Sequence, residues 1–198
     1  MLDKSKNDLE IAGKAIKEMK SSKSLKDFQE NWQIFLFRIE RAWEYIERTY
    51  KDGRFQRLLK PYRALRKSDQ LLRYLFHARH VETHALCDSV VKDLEFIVQD
   101  KYGRPFHMHG LSAKMDNNNL EINIDSIDCL FDYEMKVIPT RPYFNKIKNR
   151  GRTYKPPVKH LGNYVDDLHP IDVAQKGLDF YKGLVSEIEE KLKHGDIK

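Results

Sequence analysis

Apolar side chains recur every three or four residues through most of the first half of the chain, a spacing that predicts helices. Between residues 3 and 20, Leu9, Ala12, Ala15, Ile16 and Met19 form the apolar side of a charged segment that Ser21 and Ser22 interrupt. The strongest pattern follows in Leu25, Phe28, Trp32, Phe35, Leu36, Ile39, Trp43 and Ile46. Ser24 with Asp27 resembles a capping box at its start, and it ends before Asp52-Gly53. A third helical piece spans about 54–66, where Pro61 kinks it or starts a new turn. A fourth begins near Asp69 and is expected to continue through Val90, Val91, Leu94 and Ile97 to about Val98. The final helix opens at His169-Pro170, buries Ile171, Ala174, Leu178, Tyr181, Leu184, Val185, Ile188 and Leu192, and stops at Gly195.

At Tyr102-Gly103-Arg104-Pro105 the pattern changes. After the turn signal Asn117-Asn118-Asn119, Leu120, Ile122 and Ile124 alternate as in a half-buried strand, with residues 130–138 as the expected strand partner. Residues 139–169 hold Pro139, Pro142, Pro156 and Pro157 with several aromatics but no long periodic apolar run, which predicts a wrapping loop. The fold class is therefore mainly α. A helical bundle of residues 3–98 and 170–194 carries a small inserted β-hairpin and a long basic loop, about 103–169, within one domain of residues 1–198.

With 198 residues, 40% of them hydrophobic, the chain can build one sizeable core or a core plus an appendage. No run approaches the ~20 apolar residues of a membrane span. The charged beginning lacks the apolar centre of a secretory signal, so a cytoplasmic protein without membrane partners is expected. Cys87 and Cys129 stand in no metal-ligand spacing and are expected to be free thiols. The net charge of +6 is moderate, but it is segregated. Residues 135–165 contain no Asp or Glu, and there Arg141, Lys148, Arg150, Arg152 and Lys155 alternate with Tyr143, Phe144 and Tyr154. Cations mixed with aromatics suit phosphate contact plus base stacking, which makes these five the candidate nucleic-acid-binding residues. A solvated loop pinned to the bundle by its aromatics is the plainer alternative. Lys51, Arg54, Arg57, Lys60, Arg63, Arg66 and Lys67 form a second basic run, of which Arg54, Arg57, Lys60, Arg63 and Arg66 recur every third residue as a collar around a helix. Asp125, Asp128, Asp132 and Glu134 match no ion-binding loop and read as an acidic offset to these basic runs.

The segment LLRYLFHARHVETHAL holds the residues that point to chemistry. At about 100° per residue, Arg73, His77, His80 and His84 fall within roughly a 60° arc of one helix face. Imidazoles aligned with an arginine are what proton transfer beside a phosphate requires. A structural reading stands beside this one: Arg73 paired with Asp69, and Arg79 with Glu82, on an ordinary helix surface. A metal shared by His80 and His84, joined by His77, ranks below the phosphate reading because no HExxH is present, and no metal is assigned.

Within Arg79-His80-Val81-Glu82-Thr83-His84, an arginine followed by a polar residue and, after four intervening residues, a histidine resembles the signature of HEPN domains. These are all-helical bundles of bacterial defence and toxin systems and of some eukaryotic ribonucleases. The resemblance covers roughly residues 20–100. It implies metal-independent RNA cleavage without a cofactor, in which His84 exchanges a proton with the ribose 2′-hydroxyl or the leaving oxygen. Arg79 would then stabilise the charge developing at phosphorus. It also implies a homodimer, since such sites are commonly composite, and an antitoxin or defence partner. Arg73 and His80, with six intervening residues, satisfy the same spacing and nearly eclipse on a helix, whereas Arg79 and His84 diverge by roughly 140°. Candidate catalytic residues are therefore Arg79, His84, His80 and Arg73. The functional alternative is a non-catalytic helical scaffold that dimerises through the same bundle.

Overall fold

The computed structural model describes residues 2–49, 53–84, 88–92, 94–100, 108–116, 119–127, 133–139 and 141–194; for His84 and the strands between 94 and 139 only the backbone is described. In chain order the elements are helices α1 (Asp3–Ser21), α2 (Leu25–Thr49), α3 (Gly53–Ser68) and α4 (Gln70–His84). Strands β1 (Val90–Val91), β2 (Leu94–Asp100), β3 (Met108–Asp116), β4 (Asn119–Ile127) and β5 (Tyr133–Pro139) follow. Then come β6 (Tyr143–Phe144), β7 (Ile147–Asn149), β8 (Arg152–Tyr154), β9 (Lys159–His160), β10 (Asn163–Tyr164) and the closing helix α5 (Pro170–Lys193). Mainly helical is what the pattern predicts and what is observed.

Two compact units are present, one of residues 1–92 with 142–198 and one of residues 93–141. The first is the bundle. Leu9, Ala12, Ala15, Ile16 and Met19 of α1 are all buried, as are all the predicted core positions of α2 except the half-buried Leu25. Ser24 Oγ accepts the Asp27 N–H at 3.1 Å, the N-terminal half of the expected capping box. His169 caps α5 through Nδ1, which accepts the Ile171 N–H, and Pro170 occupies the first turn, where its missing N–H is not needed. α3 runs unbroken through Pro61. Gly177 marks the close approach of α5 and α4: a Cβ there would lie 2.5 Å from Leu75 Cδ1.

Buried ion pairs tie the helices together. Asp8 of α1 is fully buried and accepts from Arg38 at 2.9 Å and from Nε and Nη2 of Arg41. Arg66 of α3 donates to both Glu40 oxygens at 2.8 Å and to the Tyr181 hydroxyl of α5, beneath the faces of Trp43 and Phe76.

Three expectations are corrected. The fourth helix does not run to Val98; it ends at His84, and residues 94–100 are the strand β2. A buried serine organises that exit: Ser89 N–H and Oγ–H bond Glu82 Oε1, Ser89 Oγ accepts from Trp32 Nε1 at 2.8 Å, and Tyr74 bonds the Ser89 carbonyl. The β-branched pair Val90-Val91 then takes extended backbone, pairing with Tyr143 and Phe144. Second, the partner of the strand around Leu120–Ile124 is β3, registered Met108↔Ile127 to Asp116↔Asn119, while β5 pairs with β2 from Leu94↔Pro139 to Asp100↔Tyr133. The second unit, described by itself, is thus two antiparallel strand pairs rather than one hairpin. Third, residues 142–169 are not irregular: β6, the β7–β8 hairpin and the β9–β10 hairpin lie within them. Cys87 and Cys129 lie outside the described residues.

A cationic cleft between two helices and a hairpin

The site is built by α4 and the β7–β8 hairpin, which pack against each other in the first unit, with the end of α3 alongside. α4 is fixed at its start by Asp69. Its carboxylate accepts the Leu72 N–H at 3.0 Å as the helix cap, and also bonds His160 Nδ1 at 3.0 Å and the Leu161 N–H at 2.7 Å. Burial opposes ionisation there, but those hydrogen bonds outweigh it and hold the carboxyl below its ordinary range. The anchored start turns Leu71, Leu72, Leu75 and Ala78 into the core and sends Arg73 and His77 outward. The hairpin is held by Ile147, which is fully buried, and by the Tyr154 ring, which stacks on His77 with centroids 3.7 Å apart. Its two-residue turn has Arg150 at φ 50° and Gly151 at φ 76°, the left-handed pair of a type I′ turn.

The resulting cleft encloses about 1040 Å³. Lys67, Arg73, Arg150, Arg152 and Lys155 line it, all exposed, together with His77, Gln70 and Thr153; among the described residues no carboxylate does. Arg66 also reaches its wall, but its charge is neutralised by Glu40. His77 is half-buried, and Asn149 Nδ2 lies 3.0 Å from its Nδ1. Burial, followed by the charges of His80, Arg73 and Arg150, pushes its imidazole down to about 4, so the ring is neutral at neutral pH. Chemically such an arrangement suits a polyanion, with the rings of Tyr74, Phe76 and Tyr154 on its wall and one neutral imidazole inside.

The candidate residues are divided by this geometry. Arg73, Arg150, Arg152 and Lys155 are brought together. Lys148 is exposed on β7 without lining the cleft, and Arg141 is exposed in the second unit. His80 packs its ring against Phe76, centroids 4.6 Å apart, one turn beyond His77. Arg79 points elsewhere: it lines a separate groove of about 500 Å³ with Ile34, Phe37 and Thr83, and its Nε is buried without a hydrogen-bond partner. The side chain of His84 lies outside the described residues. The expected Arg73–Asp69 and Arg79–Glu82 pairs are not formed, because Asp69 is spent on the cap and on His160, and Glu82 on Ser89 and Gln33. Lys67, read only as part of the second basic run, lines the cleft too, and the central place of His77 is not evident from the sequence. His77 was on the right helix face, but only the packing of Tyr154 and Asn149 distinguishes it from its neighbours.

Among the described residues no group of three or more His, Cys, Asp or Glu is arranged to hold a metal, and no helix is long and apolar enough to cross a membrane. Fold and site together define a mainly helical protein with a cationic cleft that no carboxylate lines among the described residues. Compared with protein families, with curated proteins and with solved structures, the chain matches none.

Proposed function

We propose that this is a HEPN-like, RNA-directed protein that holds the backbone of single-stranded RNA in the cleft between α4 and β7–β8. The observation that carries the reading is the convergence of Lys67, Arg73, Arg150, Arg152 and Lys155 on one cleft that no carboxylate lines among the described residues. Phosphates spaced along a strand satisfy such a set, and each contact releases counterions. Fluorescence anisotropy with a labelled oligouridylate tests it. Affinity is expected to fall steeply with salt, with a slope shallower by about 0.7 for each of Arg73→Ala and Arg152→Ala. Salt-insensitive binding, or variants with unchanged slopes, refutes it.

A second reading, metal-independent endoribonuclease activity, is favoured by the placement on α4 of Arg73 and His77, which line the cleft, with His80 packed on Phe76 one turn beyond His77. In that reading Arg73 carries the charge developing at phosphorus, and His80 exchanges the proton of the 2′-hydroxyl. Cleavage of labelled RNA in EDTA tests it. Intact RNA, or Arg73→Ala and His80→Ala variants that cut like wild type, ends it.

A further inference from the structure

Among the described residues His77 is the one imidazole lining the cleft, and its surroundings accommodate it in two charge states. In the neutral ring Nδ1 accepts from the Asn149 amide, and Nε2 keeps the proton. A protonated ring needs an acceptor at Nδ1 instead. The Asn149 carboxamide supplies one by turning over, since its oxygen and nitrogen ends are nearly the same size. The stack on Tyr154 is compatible with either state.

What selects the state is the charge around it. Arg73 and His80 come from its own helix, Lys67 from α3, and Arg150, Arg152 and Lys155 from the hairpin and the residue after it. On the other elements packed against α4, Glu40 of α2 and Tyr181 of α5 are engaged by Arg66, and His160 of β9 is engaged by Asp69. Among the described residues every group left facing the cleft is thus a cation or is neutral. A positive charge on the ring is unfavourable until an anion sits among Arg73, Arg150 and Arg152.

We infer that a phosphate-bearing ligand binds in this cleft together with a proton taken up by His77, the Asn149 carboxamide turning over to accept it, so that affinity rises as pH falls. This rests on the RNA-binding reading of the cleft. Without ligand the imidazole titrates at about 4. A bound phosphate that restores it to its ordinary 6.5 makes binding about tenfold tighter at pH 5.5 than at pH 7.5.

The test measures oligouridylate affinity at pH 7.5, 6.5 and 5.5 for wild type, His77→Gln and, as a control at an exposed histidine at the end of α5, His194→Gln, beside NMR titration of the wild-type imidazoles with and without ligand. Uracil does not titrate in this range, nor does sulfate, the second probe. Expected are about tenfold tightening in wild type and His194→Gln, a flat profile in His77→Gln, and upward movement of the His77 titration on binding. A flat wild-type profile, a pH dependence that survives in His77→Gln, or a His77 titration unmoved by bound RNA overturns the inference. Failure of oligouridylate to bind at any pH overturns the RNA reading instead. Sulfate then decides the proton linkage, upholding it if the His77 titration rises and overturning it if it does not. Because the NMR arm uses wild type, a misfolded variant leaves the decision intact.

Discussion

Arg150 and Leu161 occupy the same place in two hairpin turns, and replacing each by Asn separates what the β7–β8 turn does for folding from what it does for binding. Both are non-glycine residues in the left-handed region, at φ 50° and φ 49°, each followed by a positive-φ glycine. Such a residue costs about 1–2 kcal/mol relative to ordinary backbone, and Asn-Gly is the dipeptide that type I′ turns favour. Asn relieves part of that cost, about 1 kcal/mol per site, which for a chain of 198 residues raises Tm by about 2–4 °C. Leu161 is 49% exposed and anchors its turn through its backbone N–H to Asp69, so Leu161→Asn loses little packing and keeps the anchor. Arg150 lines the cleft, and Arg150→Asn removes one cation from it.

Differential scanning fluorimetry is therefore expected to show both variants more stable than wild type. Anisotropy with oligouridylate is expected to show only Arg150→Asn impaired. Loss of one charge-assisted contact of about 1–2 kcal/mol weakens binding about five- to thirtyfold, and the salt slope falls by about 0.7. If Arg150→Asn binds as wild type does with an unchanged slope, the cleft is not where phosphate is held. If neither variant gains stability, the left-handed positions are not strained.

Gly177→Ala drives a methyl into Leu75 and is expected to lower stability by about 1–2 kcal/mol despite the better helix propensity, whereas Gly183→Ala, with nothing within 4 Å, raises it by about 0.5–1 kcal/mol; urea midpoints check both. Arg66→Met strands Glu40, which is 8% exposed, and is expected to cost about 3–5 kcal/mol, while adding Glu40→Leu recovers most of the loss in the same assay. His77 binds its proton at about 4 in the fold against 6.5 ordinarily, so the unfolded chain takes the proton first. Its contribution to stability is complete above pH 6.5 and is lost as pH falls toward 4, to the extent of about 1–2 kcal/mol once solvent screening at a half-buried ring is allowed for. Denaturant titrations from pH 7.5 to 4.5 are expected to show that loss in wild type and its absence in His77→Gln.

The helices were legible because their signals are redundant: in α2 the capping serine, the spacing of Phe28, Trp32, Phe35 and Trp43, and length all agree. Legibility failed where one signal stood alone. Val90, Val91, Leu94 and Ile97 fit a helical spacing, but four β-branched or apolar residues fit a strand equally, and the bonds of Ser89 to Glu82, Trp32 and Tyr74 that turn the chain are long-range. The strand partners were misassigned for the same reason, since nothing local says that residues 94–100 await residues 133–139. The cationic half of the cleft was readable as a run without carboxylates. Its other half was not. That Arg73 faces Arg150 and Arg152 while Arg79 turns into a different groove depends on which side of α4 the hairpin covers.

That division of α4 bears on why the cleft is charged at all. Where the bundle needs its cations for structure, it neutralises them: Arg38 and Arg41 on Asp8, Arg66 on Glu40, Arg63 on Glu47, Lys6 on Glu189. Among the described residues Arg73, Arg150, Arg152 and Lys155 have no such partner, although the chain carries 30 acidic residues from which one could have been placed. Like charges gathered around one cleft repel, and the fold gains nothing from them. They depress a neighbouring imidazole, and Arg150 holds a left-handed backbone that Asn or Gly would occupy more easily. Two independent departures from what stability favours thus coincide on the same few residues. The left-handed backbone alone does not mark the place, since Leu161 shares it, but its coincidence with unbalanced charge at Arg150 fits a ligand site, and the sign of the charge fits an anion.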